Sequence, residues 1–458
     1  MIGNRGALLA NASTPKTRRS RKLILDGVEY ALASAQPEKF LNRHVSVRGS
    51  VLRVDTRRFD LSRFENVFVV GAGKASGRMA EYLESLLKDR VTAGFVTILK
   101  GTRQSFTVER IVMNEASHPI PDQDGVSGAS RILDLAQRAG SSDLVVSLFS
   151  GGGSALMPLP KDGLTLADKR EVARQLILGG ATIHEINAVR KHLSRIKGGY
   201  LAKAAHPATV ISLLLSDVVG NDLNVIASGP TAPDTSTYRD AITVLKKYSI
   251  WDPTPANVRL ILEKGAAGEA EETPKPGDPC FEKTYNFIVG SNSEICKELR
   301  RFYRRKGVRS LILTSTLEGE ARDVGYFLSS ILNEITASHN PMAAPCSVIC
   351  GGEATVTVRG KGLGGRSQEA MLAALTKLQE KDGVAAASFG TDGLDGPTDA
   401  AGAVIDGFSR ARSAEKSLDL RSFLADNDSH HFFARMGDLI LTGATGTNVN
   451  DVAILIAV

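Results

Sequence analysis

Ten short apolar runs recur along this chain, at residues 66–70, 93–99, 144–149, 210–215, 285–289, 310–313, 347–350, 385–389, 439–442 and 452–457. Between them lie segments with a helical period, clearest at 75–88, 126–137, 167–177, 292–305, 321–336 and 367–378. Strands apolar on both faces need helices over both faces, so the alternation predicts an α/β protein built on largely parallel sheets. A chain of 458 residues, 42% of them hydrophobic, exceeds what one core usually organises, and two domains follow. Residues 266–279 concentrate Gly, Pro and Glu without apolar period and read as a linker between a domain at 22–265 and one at 280–458.

No apolar run approaches the roughly 20 residues that span a bilayer, so the expectation is a soluble, cytoplasmic protein with no membrane partner. Cys280, Cys296, Cys346 and Cys350 form no CxxC pair and sit near no histidine at metal-ligand spacing, so they read as reduced, buried thiols. The net charge of +6 could suggest nucleic acid. Six basic residues, however, fall in the first 22 positions (Arg5, Lys16, Arg18, Arg19, Arg21, Lys22), and the remainder is near neutral. No nucleic-acid partner is expected, and the basic segment reads as a frayed terminus.

In parallel α/β sheets ligands sit beyond the carboxyl ends of strands, so the residues just after each apolar run carry the chemistry. VFVVGAGKASGRMAEYLE (67–84) has Ser76 where a dinucleotide fingerprint needs its third glycine, and the next strand ends at Lys100 rather than an acid. It is not a Walker A loop either, because neither the spacing nor a Ser or Thr after Lys74 is present. A tight turn at Gly73 that sets Lys74 near a helix start remains, suited to phosphate oxygens or serving only as a solvated turn. In DLVVSLFSGGGSALM (143–157), Ser150, Gly151, Gly152, Gly153 and Ser154 give a backbone an anion can approach closely, or a tight strand-to-helix turn.

Asp217 and Asp222 follow the strand of TVISLLLSDVVGNDLNVIASGPTAPD (209–234), with Asn221 between them. Such carboxylates hold a hard cation, accept a proton, or simply cap turns. Asp392, Asp395 and Asp399 occupy a glycine-rich loop after another strand and offer the same oxygen ligands. Arg366, entering a helix after Gly364 and Gly365, presents a planar fork for carboxylate or phosphate. Glu353 is a ligand contact or a turn residue, and Thr442, Thr445, Thr447 and Asn448 suit a polar ligand or a turn. His118, between an apolar strand and two prolines, is more often structural than catalytic at such a position.

Together GAGKAS, SHPIPD, SGGGSAL, INAVRKHLSRIKGG, SDVVGNDLNVIASGPT, VGSN, GGEATVTV, GGRSQEAML, GTDGLDGPTDAAG and TGATGTNVND resemble the class II glycerate kinases, whose carboxyl-terminal part is called the MOFRL domain. The blocks run in order from about residue 22 to 451. The resemblance implies a Rossmann-like domain and a MOFRL-type domain flanking an active-site cleft. It further implies ATP and D-glycerate as small-molecule substrates, 2-phosphoglycerate as product, and Mg2+ or another divalent cation.

On that resemblance Lys74 and Arg366 are central to the active site. Asp217 and Asp392 join them as catalytic residues and metal ligands. Gly73, Ser150, Gly151, Gly152, Gly153, Ser154, Asn221, Glu353, Asp395 and Asn448 are the expected substrate and nucleotide contacts. Relatives often read SDVVGDD where this chain has Asn221, and TGPTGTNVND where it has Ala444. A homodimer is left open. The alternatives are a hydroxypyruvate reductase using a nicotinamide cofactor, a kinase of another small hydroxy acid, and a nucleotide sensor without turnover.

Overall fold

The computed structural model describes all residues from 1 to 458. The chain divides into two compact units, Phe40–Gly290 and a second made of Met1–Lys39 with Ser291–Val458.

The Phe40–Gly290 unit opens with a small antiparallel meander, β1 (Val45–Arg48), β2 (Val51–Val54) and β3 (Arg57–Asp60), that the apolar pattern did not announce because its strands are short and half exposed. Six strands then form a wholly parallel sheet: β4 (Val67–Ala72), β5 (Ala93–Leu99), β6 (Ile111–Ala116), β7 (Leu144–Phe149), β8 (Thr209–Leu215) and β9 (Thr284–Gly290). Their order is β6-β5-β4-β7-β8-β9. β4 and β7 are buried at every residue, which explains their uninterrupted apolar runs. The chain leaves β4 to one side for β5 and β6 and returns to the other for β7 to β9, so β4 and β7 flank the switch point where such sheets open a crevice.

A group of helices with its own core, including Val172, Leu176, Val189, Leu193, Tyr238 and Leu262, belongs to the same unit. Two of them, Leu166–Leu178 and Ile183–His192, start at reciprocal capping boxes, Thr165 with Asp168 and Thr182 with Glu185. These pairs satisfy orphan amides at each helix start and fix where the helices begin.

The sequence put the domain boundary at 266–279. β9, just beyond it, pairs with β8, and the compact unit closes at Gly290. Nor does 266–279 hang free. Glu272 Oε1 lies 2.7 Å from His192 Nε2, and Thr273 Oγ1 donates to Asp234 Oδ2 at 3.0 Å. Polar composition suggested a linker, but those polar groups are partners for buried ones on the same unit.

The other unit holds β10 (Arg309–Leu317), β11 (Cys346–Gly352), β12 (Val384–Gly390), β13 (Gly402–Asp406), β14 (Leu439–Ile440) and β15 (Asp451–Ala457), in the order β10-β11-β15-β12-β13-β14. Only β10 and β11 are parallel, so this sheet is mixed rather than largely parallel. The last strand inserts at the centre, between β11 and β12, and a continuous apolar run cannot reveal that reversed direction.

The basic amino terminus is not frayed. Pro15–Ser34 is a 20-residue helix capped by Thr14, and Arg21 within it is fully buried. Arg21 pairs with Asp406, and with Asp438 at 2.8 Å. All four cysteines are free and buried. No helix is long and apolar enough to cross a membrane.

Candidate active site

In the Phe40–Gly290 unit the loops after β4 and β7 lock together at the switch point. Lys74 N–H donates to Gly151 O at 2.9 Å, and Ala75 N–H donates to Ser150 Oγ at 3.0 Å. Ser76 Oγ, at the site where a dinucleotide fold would have glycine, donates to Leu148 O at 3.0 Å. Ser150 is buried and spends its hydroxyl on this loop-to-loop contact, so it shapes the turn.

The glycines that follow leave room for side chains of the protein itself. A Cβ on Gly151 would stand 2.0 Å from Asp217 Oδ2, and one on Gly152 would stand 3.0 Å from His118 Cδ2 and 3.3 Å from Lys74 Cγ. Gly152 also has φ +82°, a region glycine enters freely. Gly153 packs against Ala72 O and Gly73 against Ser150. The triple glycine therefore lets Lys74, His118 and Asp217, from three different loops, converge on one turn. Burial, and then the Lys74 ammonium, push the His118 imidazole down to about 4, so it is neutral at physiological pH.

Ser154 Oγ lies 2.9 Å from Ser228 Oγ and accepts from Lys197 Nζ at 2.7 Å. Asn221 has φ +59° in the loop after β8. Asp222 Oδ1 accepts from Asn224 N–H at 2.8 Å, the geometry of a turn former. Neither Arg190 nor Lys197 was singled out from the sequence, although both lie in the INAVRKHLSRIKGG block. Arg190 had one signal, that no acid stands three or four residues from it on the helix Ile183–His192, whereas Lys197, in the turn beyond that helix, had none.

In the other unit, Glu353, Arg366, Asp392 and Asn448 line one cavity of about 790 Å³. Arg366 opens the helix Arg366–Lys377. Its fork is bidentate on Asp451, with Nε to Oδ2 at 2.5 Å and Nη2 to Oδ1 at 3.1 Å, and Nη1 pairs with Glu353. Burial opposes the charge on Arg366, but these carboxylates hold its pKa above the ordinary value. Asp451 begins the central β15 and faces Gly352 and Gly390 in the ladder. Burial pushes its carboxyl up to about 7, against the pull of Arg366.

The sequence reading missed Asp451, the last residue of TGATGTNVND. Its position just before an apolar strand was the available clue. Asp395 is buried and receives N–H bonds from Ser367 at 3.0 Å and Gln368 at 2.8 Å. It therefore satisfies the start of the arginine's helix beneath the cavity rather than lining it. Asp392 Oδ1 accepts from Leu394 N–H at 3.1 Å, and Asn448 Oδ1 accepts from Asn450 N–H at 3.0 Å.

Comparison with known proteins agrees with this architecture. Residues 23–263 match a family described as "Domain of unknown function (DUF4147)", and residues 346–451 match the "MOFRL family". The chain is 41% identical to "Glycerate 2-kinase" of Pyrococcus horikoshii, over 95% of this chain and 97% of that one. It is also 41% identical to a "Putative hydroxypyruvate reductase" of Agrobacterium vitis, over 85% and 86%. Among solved structures, glycerate kinase from Thermotoga maritima superposes with a TM-score of 0.85 at 36% identity, covering 95% of this chain and 99% of its own.

Proposed function

The chain belongs to the glycerate 2-kinase family, and we propose that it transfers the γ-phosphoryl group of ATP to the 2-hydroxyl of D-glycerate, giving 2-phosphoglycerate and ADP. The observation that carries this reading is the convergence of Lys74, the Gly151–Gly153 turn and Asp217 at the switch point of a parallel sheet.

Phosphoryl transfer asks for positioning and charge neutralisation more than for covalent chemistry. Lys74 offers a mobile ammonium to phosphoryl oxygens at the turn. Asp217 accepts or orients the proton of the attacking hydroxyl. Arg366, aimed by Asp451 and Glu353, offers its guanidinium to an anionic group entering its own cavity. Asp392 and Asn448, on the same cavity wall as Arg366, supply further polar contacts.

No group of three or more acidic, histidine or cysteine side chains forms a ready-made metal cage. Mg2+ usually takes one or two carboxylates and completes its shell with water and substrate phosphates. Asp217 in the one unit and Asp392 in the other are each a carboxylate of that kind, and Mg2+ when bound would neutralise charge on the phosphates. The enzyme would work in the cytoplasm.

The reductase name carried by two relatives from Agrobacterium vitis needs nicotinamide binding. At the end of β5, where a dinucleotide fold carries an acid for the ribose, this chain has Lys100, engaged with Asp124 at 3.0 Å. Phosphorus NMR of the protein with ATP, Mg2+ and D-glycerate tests the proposal. A 2-phosphoglycerate resonance is expected, and either a 3-phosphate product or no product would overturn it.

A further inference from the structure

A cavity of about 750 Å³ opens in the Phe40–Gly290 unit beside Gly152 and His118. Three cations on its wall, Lys169, Arg190 and Lys197, have no acid to match them. Lys197, buried, donates only to the uncharged Ser154 O and Oγ, each at 2.7 Å, and Lys169 donates to Leu159 O at 3.2 Å. Glu171, the one acid on the wall, is taken up by Arg174 at 2.7 Å. Burial and mutual repulsion bring Lys169 down to about 7 and hold Lys197 well below its ordinary value. Buried like charges without counterions are costly, and a protein keeps such a cluster where a ligand supplies the missing anion.

The mouth of the same cavity is apolar. Ile120, Ile177 and Leu178 line it while exposed at 67%, 58% and 73%. A three-carbon hydroxy acid is too small and too polar to use both features. A nucleoside polyphosphate joins a multiply charged tail to a flat apolar base and matches both.

We propose that this cavity is the nucleotide site, with the polyphosphate on Lys197, Arg190 and Lys169 and the base against Ile120, Ile177 and Leu178. The terminal phosphate then points toward Gly152, the residue whose missing Cβ leaves room for Lys74 and His118. The assignment rests on the kinase reading for the identity of the nucleotide. The cavity's demand for an anion with an apolar body does not depend on it.

Calorimetric titration of the full-length protein tests the site with three probes: ADP, inorganic tripolyphosphate and D-glycerate. Arg190→Met, on a half-buried side chain, should weaken both ADP and tripolyphosphate at least about tenfold. Ile177→Asn, at an exposed position, should weaken ADP by a similar factor and leave tripolyphosphate within about twofold. Thermal melts verify that both variants fold.

Unchanged ADP affinity in both variants, absence of ADP binding to the wild type, or loss confined to D-glycerate would each overturn the assignment. A wild type whose ADP binding follows this pattern but which never phosphorylates glycerate would support the site and overturn the kinase reading instead.

Discussion

Two clusters of positive charge, one in each unit, are treated in opposite ways. In the unit formed by Met1–Lys39 and Ser291–Val458, each key arginine is matched by two carboxylates, Arg21 by Asp406 and Asp438 and Arg366 by Asp451 and Glu353. In the Phe40–Gly290 unit, the cavity cations Lys169, Arg190 and Lys197 have uncharged neighbours only, or each other. Matched charge fixes a side chain in one geometry, and unmatched charge stores an affinity for something yet to bind. The first arrangement suits aiming a fork at a substrate group, and the second suits capturing a polyanion.

That contrast can be broken experimentally. The largest effect should come from Arg21→Ala, which leaves Asp406 and Asp438 buried with only Arg412 to offset them. A loss of about 3 kcal/mol in urea unfolding is expected, and a loss below about 1 would mean that matched pairs do not hold this unit together.

Asp217→Asn should keep its melting temperature and lose at least about a hundredfold in turnover, and near-normal activity would remove Asp217 from the mechanism. For Arg366→Lys, the planar fork on Asp451 is lost while the charge stays, so turnover should fall about tenfold. An unchanged rate would show that geometry matters less than charge there.

Arg190→Met inverts the logic of Arg21→Ala. Relieving repulsion without ligand should leave the protein as stable as before or stabilise it by up to about 1 kcal/mol in the same assay. A clear loss would mean the cavity cations are structural.

The smallest effect concerns His118. Its folded pKa of about 4 lies below the ordinary 6.5, so between those values the unfolded chain binds a proton that the folded imidazole refuses. Stability should therefore fall as pH drops from 7 toward 5, and His118→Gln should lose less over the same range. Equal slopes in denaturant titrations would place His118 in water.

Where side chains answer to local rules, the sequence was informative. Buried strands such as β4 and β7 announced themselves as apolar runs, and helices such as Asn292–Arg305 and Arg366–Lys377 by their period. The glycine-rich loops drew attention to the strand ends, and two of them, after β4 and β7, lie at the switch point that only the strand order defines. Short, half-exposed strands such as those of β1 to β3 left no comparable trace, because neither face is apolar enough to set a period.

What the sequence determined by itself is the class of the chain and the residue types gathered at its strand ends, because burial and backbone geometry act on neighbours along the chain. Only the tertiary structure decided partnership. It folded the basic amino terminus into the carboxyl-terminal unit through Arg21, and it inserted β15 antiparallel between β11 and β12 so that Asp451 meets Arg366. It also turned Ser150 and Asp395 inward and left Lys197 without an acid. Each of these depends on groups tens to hundreds of residues apart, where Coulomb attraction and desolvation follow distance in space and no pattern along the chain records it.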